Sequence, residues 1–186
     1  NTLSGKSLKW GNYQAGVIHG LMEKGYHVRG MDLLFIGNIP FGSGLSSSAA
    51  IELTTAVAAA TLSENFTEKG IDLVQMALIG QTAEHTFCNV HCGIMDQFAS
   101  AMGKKDHAIL LDCASLKYKY VPLDLGNYML VLANTCKKHA LGASAYNKRR
   151  EEVAEGLLRM NHALDENRVN LCDFNETDYW RAEAKL

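Results

Sequence analysis

The sequence predicts a mixed helix-and-strand fold. Three observations carry this: stretches with apolar residues at helical spacing, short apolar or alternating runs closed by glycine or polar breaks, and a glycine–serine loop set directly before a helix. Tyr13 to Lys24 repeats apolar residues at Tyr13, Val17 and Leu21 and stops at Gly25, as a short amphipathic helix does. Met31 to Ile36, apolar except for Asp32 and set between Gly30 and Gly37, reads as a buried strand entering the turn Asn38 to Gly42. Alanine, leucine, isoleucine and glutamate dominate Ser46 to Leu62, which makes it helical. In Ile71 to His85 the apolar residues Leu73, Val74, Ala77, Leu78 and Ala83 again keep helical period, and Gly93 to Met102 forms another short helix.

Three strands are expected next, at His107 to Cys113, Lys117 to Leu123 and Tyr128 to Asn134. Alternation is cleanest in the second, where Tyr118, Tyr120 and Pro122 oppose Lys117, Lys119 and Val121. Ser144 then fits an N-cap before a helix from Tyr146 to Leu164, apolar along Val153, Leu157 and Met160 and exposed along Arg149, Arg150 and Glu151. The polar turn Asp124 to Asn127 marks a domain seam, dividing the chain into 1–125 and 126–186.

Composition narrows the class. The chain has 186 residues, 47% hydrophobic and 20% charged, enough to bury a sizeable core. Its net charge of -2 comes without a basic block, so the expected partner is a small molecule and not nucleic acid. The stretch Ala56 to Leu62, apolar except for Thr61, is far short of a membrane span, and Asn1 to Ser4 shows no signal segment. Cys88, Cys92, Cys113, Cys136 and Cys172 are odd in number and scattered, as expected of reduced thiols in a cytoplasmic protein. The triplets at Asn65 and Asn175 that fit glycosylation acceptors read as chance in that setting.

Pro40 to Ala50 is the most informative stretch. Gly42 and Gly44 let the backbone come close to an anion, and the helix start beyond them offers unpaired amides and a partial positive charge. The serines add hydroxyl donors, one of which can reach a magnesium ion. No lysine follows Gly44, so this is not a Walker loop, and Gly5-Lys6-Ser7 is incidental. On glycine and serine content alone, a flexible turn with a serine cap is an equal reading.

The run Gly42-Ser43-Gly44-Leu45-Ser46-Ser47-Ser48-Ala49-Ala50 resembles the second signature motif of the GHMP kinases, in which this loop wraps a nucleotide triphosphate. Cys92 to Gln97 and Gln81 to His85 are similar to the segments that carry the catalytic aspartate and a magnesium-binding glutamate in the galactokinase branch. The resemblance implies phosphate binding by Pro40, Gly42, Ser43, Gly44, Leu45, Ser46, Ser47, Ser48 and Ala49. It implies that Asp96 handles the acceptor proton and that Ser48 and Glu84 hold magnesium. Gly93, Asp96 and Tyr146 are implied to touch the sugar, Tyr146 through the segment Ser144 to Arg150. Without the resemblance, Asp96 is a helix-start charge, Gly93 a turn glycine and Tyr146 a core aromatic.

The implied fold is the α+β two-domain GHMP architecture, incomplete: the later part of an N-terminal lobe of the ribosomal-protein type, and the start of a ferredoxin-like C-terminal lobe. The implied activity is transfer of the ATP γ-phosphate to the hydroxyl on carbon 1 of α-D-galactose, with Mg²⁺ as cofactor, by a protein monomeric in its full-length form. An N-acetylgalactosamine kinase and a non-enzymatic sugar and ATP sensor are the alternatives. The N-terminal galactose signature and the C-terminal glycine-rich motif are not in the chain, so the chain alone is expected to be inactive and less stable than a complete domain. His85, Cys88, His91 and Cys92 have ligand types suited to zinc, but their spacing fits no common zinc pattern.

Overall fold

A computed structural model describes residues 10–40, 42–134, 142–183 and 185, with the side chains of 142–144 left out. The chain divides into two compact units, Asn1–His139 and Ala140–Leu186. Gly5-Lys6-Ser7 and Cys136 lie outside the described residues.

In the first unit, helices α1 (Gly11–Glu23), α2 (Ser47–Thr61), α4 (Leu73–Phe87) and α5 (Met95–Met102) pack together, with a one-turn α3 (Phe66–Lys69) between α2 and α4. Each expected helix forms within a few residues of its expected bounds, and α3 is an addition. Asp72 starts α4 by accepting the backbone N–H groups of Val74 at 3.0 Å and Gln75 at 3.2 Å. The apolar stripes of α1, α2 and α4 meet in a core of Val17, Leu21, Leu53, Ala56, Ala59, Met76, Ile79 and Ala83. The approach of α1 to α4 is close because Gly16 and Gly20 face it. A Cβ on Gly16 would stand 2.7 Å from the Ala83 Cβ, and one on Gly20 would stand 2.9 Å from the Ile79 Cγ2.

Strands β1 (His107–Leu111) and β2 (Tyr118–Pro122) form an antiparallel hairpin with Leu111 opposite Tyr118. Asp112 builds its turn, accepting the backbone N–H groups of Ala114 at 3.0 Å and Ser115 at 3.3 Å. Burying alternate residues Ile109 and Leu111 seats the hairpin on Phe98 of α5, and the Tyr120 hydroxyl donates to the Met102 carbonyl at 2.8 Å.

Two expected strands are not in a sheet. Among the described residues the sheet has only β1 and β2, and both Met31–Ile36 and Tyr128–Asn134 run without regular structure. The reason is physical: an extended run satisfies its backbone only through neighbouring strands, and no described segment pairs with these.

In the second unit, α6 (Gly142–Leu164) begins two residues before Ser144, so that serine lies inside the helix and is not its cap. A 3-10 turn at Leu171–Asp173 and helix α7 (Glu176–Glu183), neither read from the sequence, fold back to bury Met160, Ala163 and Ala182. Arg168 ties this corner together. Its guanidinium reaches Asp178 at 2.7 Å, also bonds Glu166, and lies 4.4 Å from the Phe174 ring centre.

Candidate active site

Residues 42–46 turn sharply into α2. Gly42, Gly44 and Ser46 take φ values of 71°, 76° and 56°, a left-handed region that glycine enters freely and serine does not. Among the described residues no atom crowds either glycine within 4 Å, so backbone angle and not space requires them. The Ser43 hydroxyl closes the turn by donating to the Pro40 carbonyl at 2.7 Å. Among the described residues no side chain caps α2, and its first turn carries no acid. Its leading amides are therefore available to an anion.

Ser47 and Ser48, half-buried in that first turn, line a cavity of about 550 Å³ together with Gly42 and Ile51. Trp10, Tyr13 and Phe35 form its aromatic wall, with Trp10 and Phe35 edge to face at 6.5 Å. Leu45 is exposed, and Ala49 is fully buried in the first turn of α2.

Below the loop lies a polar cluster inside the helical core. Glu52 sits four residues after Ser48 on α2, one turn further along the same face. It is fully buried, and its carboxyl is pushed up to about 9 by burial first and by the neighbouring Glu84 second. Glu84, on α4, is itself buried, and its charge is the influence on Glu52 that follows burial. The Gln97 side-chain amide of α5 donates to the Glu52 Oε2 at 3.0 Å. Burial, then the charge of Glu84, pushes the Cys88 and Cys92 thiols up to about 12, so they are protonated and poor metal ligands or nucleophiles. Burial first, then the neighbouring Cys88 and Glu84, pushes the Tyr13 phenol up to about 12 and keeps it a donor.

Asp96 is exposed in the first turn of α5, with Gly93 in the turn before it, and its charge is one of those that raise Glu52. Glu52 thus feels the charges of both Glu84 and Asp96, and Ser48 precedes it by one turn of α2. His85 is committed to the Cys92 carbonyl at 2.9 Å, and its ring centre lies 5.5 Å from that of His91. Tyr146 is in the second unit, on α6 and partly exposed.

Sequence reading missed Glu52, Gln97 and the aromatic wall. The four-residue step from Ser48 to Glu52 was a visible signal, since it puts a carboxylate directly behind the loop. Nothing local marks Gln97.

Residues 12–104 match the family described as GHMP kinases N terminal domain, and the chain belongs to the GHMP kinases. Its relatives include the galactokinase of Clostridium tetani (strain Massachusetts / E88), 48% identical over 91% of this chain and 42% of the relative. The galactokinase of Bacillus subtilis (strain 168) is 46% identical over 84% of this chain and 39% of its own length. Among solved structures, Lactococcus lactis galactokinase complexed with galactose superposes with a TM-score of 0.79 at 34% identity, covering 97% of this chain and 48% of that one. The chain thus spans less than half the length of these curated relatives.

Proposed function

We propose that this chain carries the phosphate loop and the acceptor-activating acid of a galactokinase, the enzyme that transfers the γ-phosphate of ATP to the hydroxyl on carbon 1 of α-D-galactose. The observation that carries the reading is the left-handed loop 42–46 opening into an acid-free helix start that no described side chain caps, with the buried Glu52 one turn behind Ser48. In this reading the backbone from Pro40 to Ala49 and the hydroxyls of Ser43, Ser46, Ser47 and Ser48 cradle the phosphates. The aromatic wall of Trp10, Tyr13 and Phe35 takes the base, which its stacking surface and position beside Ser47 and Ser48 favour.

Asp96 accepts or orients the acceptor's proton, a role its exposure permits. Gly93 and Tyr146 are the residues assigned to the sugar in this reading. Residues 1–125 belong to the later N-terminal lobe and 126–186 to the start of the C-terminal lobe. Magnesium suits the donors in this reading, since the Ser48 hydroxyl in the first turn of α2 and the buried Glu84 carboxylate of α4 are both hard oxygens. Ser48 and Glu84 would hold it, and when bound it neutralises charge on the transferred group.

Among the described residues no helix is long and apolar enough to cross a membrane. The free thiols Cys88, Cys92, Cys113 and Cys172 support a reducing compartment, which we take as the cytoplasm, with the complete protein a monomer. The test is Asp96→Asn in the complete gene product. Loss of at least about 100-fold in kcat, with ATP binding kept, is the expected outcome for removing a proton acceptor. Wild-type turnover in that variant, or no galactose 1-phosphate from the parent enzyme, overturns the reading.

A further inference from the structure

We propose that Glu52 and Gln97 form a positioning pair that sets the rotation of α5, and so the aim of Asp96, against the helix opening at the phosphate loop. The inference rests on the proposed role of Asp96 and deepens it. Gln97 follows Asp96 directly in the first turn of α5, so any restraint on one side chain turns the other. Glu52 belongs to the same face of α2 as Ser48, one turn behind it. Their hydrogen bond, Gln97 Nε2 to Glu52 Oε2 at 3.0 Å, is therefore a direct link between the loop helix and the acid helix.

The surroundings hold this link on its other sides. Gly80 of α4 presses on it so closely that a Cβ there would lie 3.0 Å from Glu52 Oε2 and 3.2 Å from Gln97 Cγ. The turn before α5 is held as well: the Cys92 carbonyl accepts from the Gln81 Nε2 at 3.2 Å and pairs with His85. Gln97 Nε2 also lies 3.7 Å from the Cys92 Sγ. These contacts fix where residues 92–97 enter the helix, and the Glu52–Gln97 bond fixes its rotation.

Stability alone does not account for the pair. Both side chains are almost fully buried, and the Oε1 atoms of both have no partner among the described residues. A buried carboxyl and a buried amide with incomplete hydrogen bonding weaken a fold, and an apolar pair of equal volume would pack there more favourably. What an apolar pair cannot supply is a directional restraint on α5. Phosphoryl transfer depends on positioning, so this restraint acts on the catalytic step more than on nucleotide affinity.

The experiment uses the complete gene product with Gln97→Met, reading kcat, the KM for ATP and melting temperature together. The expected result is a fall in kcat of about 10- to 100-fold, the scale of a misplaced reacting group, with the KM for ATP within about twofold. Glu52→Gln, which keeps an acceptor for Gln97, should exceed Glu52→Leu in kcat by about tenfold on the same scale. If Gln97→Met fails to fold, the double variant Glu52→Leu/Gln97→Met fills the slot with apolar atoms, and should melt at or above the parent while remaining slow. Wild-type kcat in either Gln97 variant, or a parallel loss of ATP affinity and melting temperature, overturns the proposal. Asp96→Asn separates the two readings. If it is inactive while Gln97→Met is fully active, only the pair falls; if it is active, both fall.

Discussion

Two apolar stretches of the first unit meet opposite fates. Ala56, Ala59 and Ala60 in α2 are fully buried, whereas Leu34 and Ile36, in an equally apolar run, are 88% and 91% exposed. The difference lies in where each conformation finds its hydrogen bonds. A helix closes its own backbone and needs only one face covered, which α1 and α4 supply to α2. An extended run needs a neighbour along its edge, and that neighbour can come from anywhere in a chain. Tyr128 to Leu132, between 75% and 84% exposed, repeats the situation of Met31 to Ile36.

The comparison predicts that stability resides in the helical packing and the hairpin seated on it. The largest effect is expected at Phe98, which is 1% exposed and contacts Tyr118 with ring centres 5.2 Å apart. Phe98→Ala should cost about 3–5 kcal/mol by emptying this site. Urea unfolding followed by circular dichroism measures it, and a loss below about 1 kcal/mol would mean that the core collapses around the gap.

A smaller effect tests the helix contact itself. Gly16→Ala adds one methyl where the Ala83 Cβ and Cα stand at 2.7 Å and 3.0 Å from its position, and the latter is backbone that cannot rotate away. The substitution improves helix propensity, yet overpacking should outweigh this and cost about 1–3 kcal/mol. A variant that melts higher than the parent would show that α1 slides on α4.

These two sites also mark how far the sequence was legible. The loop 42–50 could be read because its glycines and serines act locally, each through its own backbone angle or hydroxyl. The hairpin could be read because alternation around Tyr118 and Tyr120 is local too. Met31 to Ile36 could not be read correctly, since apolar composition reports a tendency to be covered and not the presence of a cover. Glu52 and Gln97 failed for the opposite reason. Polar residues read as solvent-facing, and their burial depends on three helices, α2, α4 and α5, that meet only after folding. Glu84 was singled out through resemblance, while its electrostatic influence on Glu52 became visible only in the packed core.

The smallest expected effect bears most directly on the comparison. Leu34→Ser and Ile36→Ser, made together in this chain, remove apolar surface that water already covers, so almost no burial is lost. The unfolding free energy should stay within about 0.5 kcal/mol of the parent, as at other surface sites away from special contacts. Solubility should rise, because an exposed apolar run with free backbone edges is a template for association between chains. Light scattering and urea unfolding on the same samples read both quantities. A destabilisation above about 1 kcal/mol would show that the run is held against the folded unit after all, since surface changes do not reach that size without a named contact.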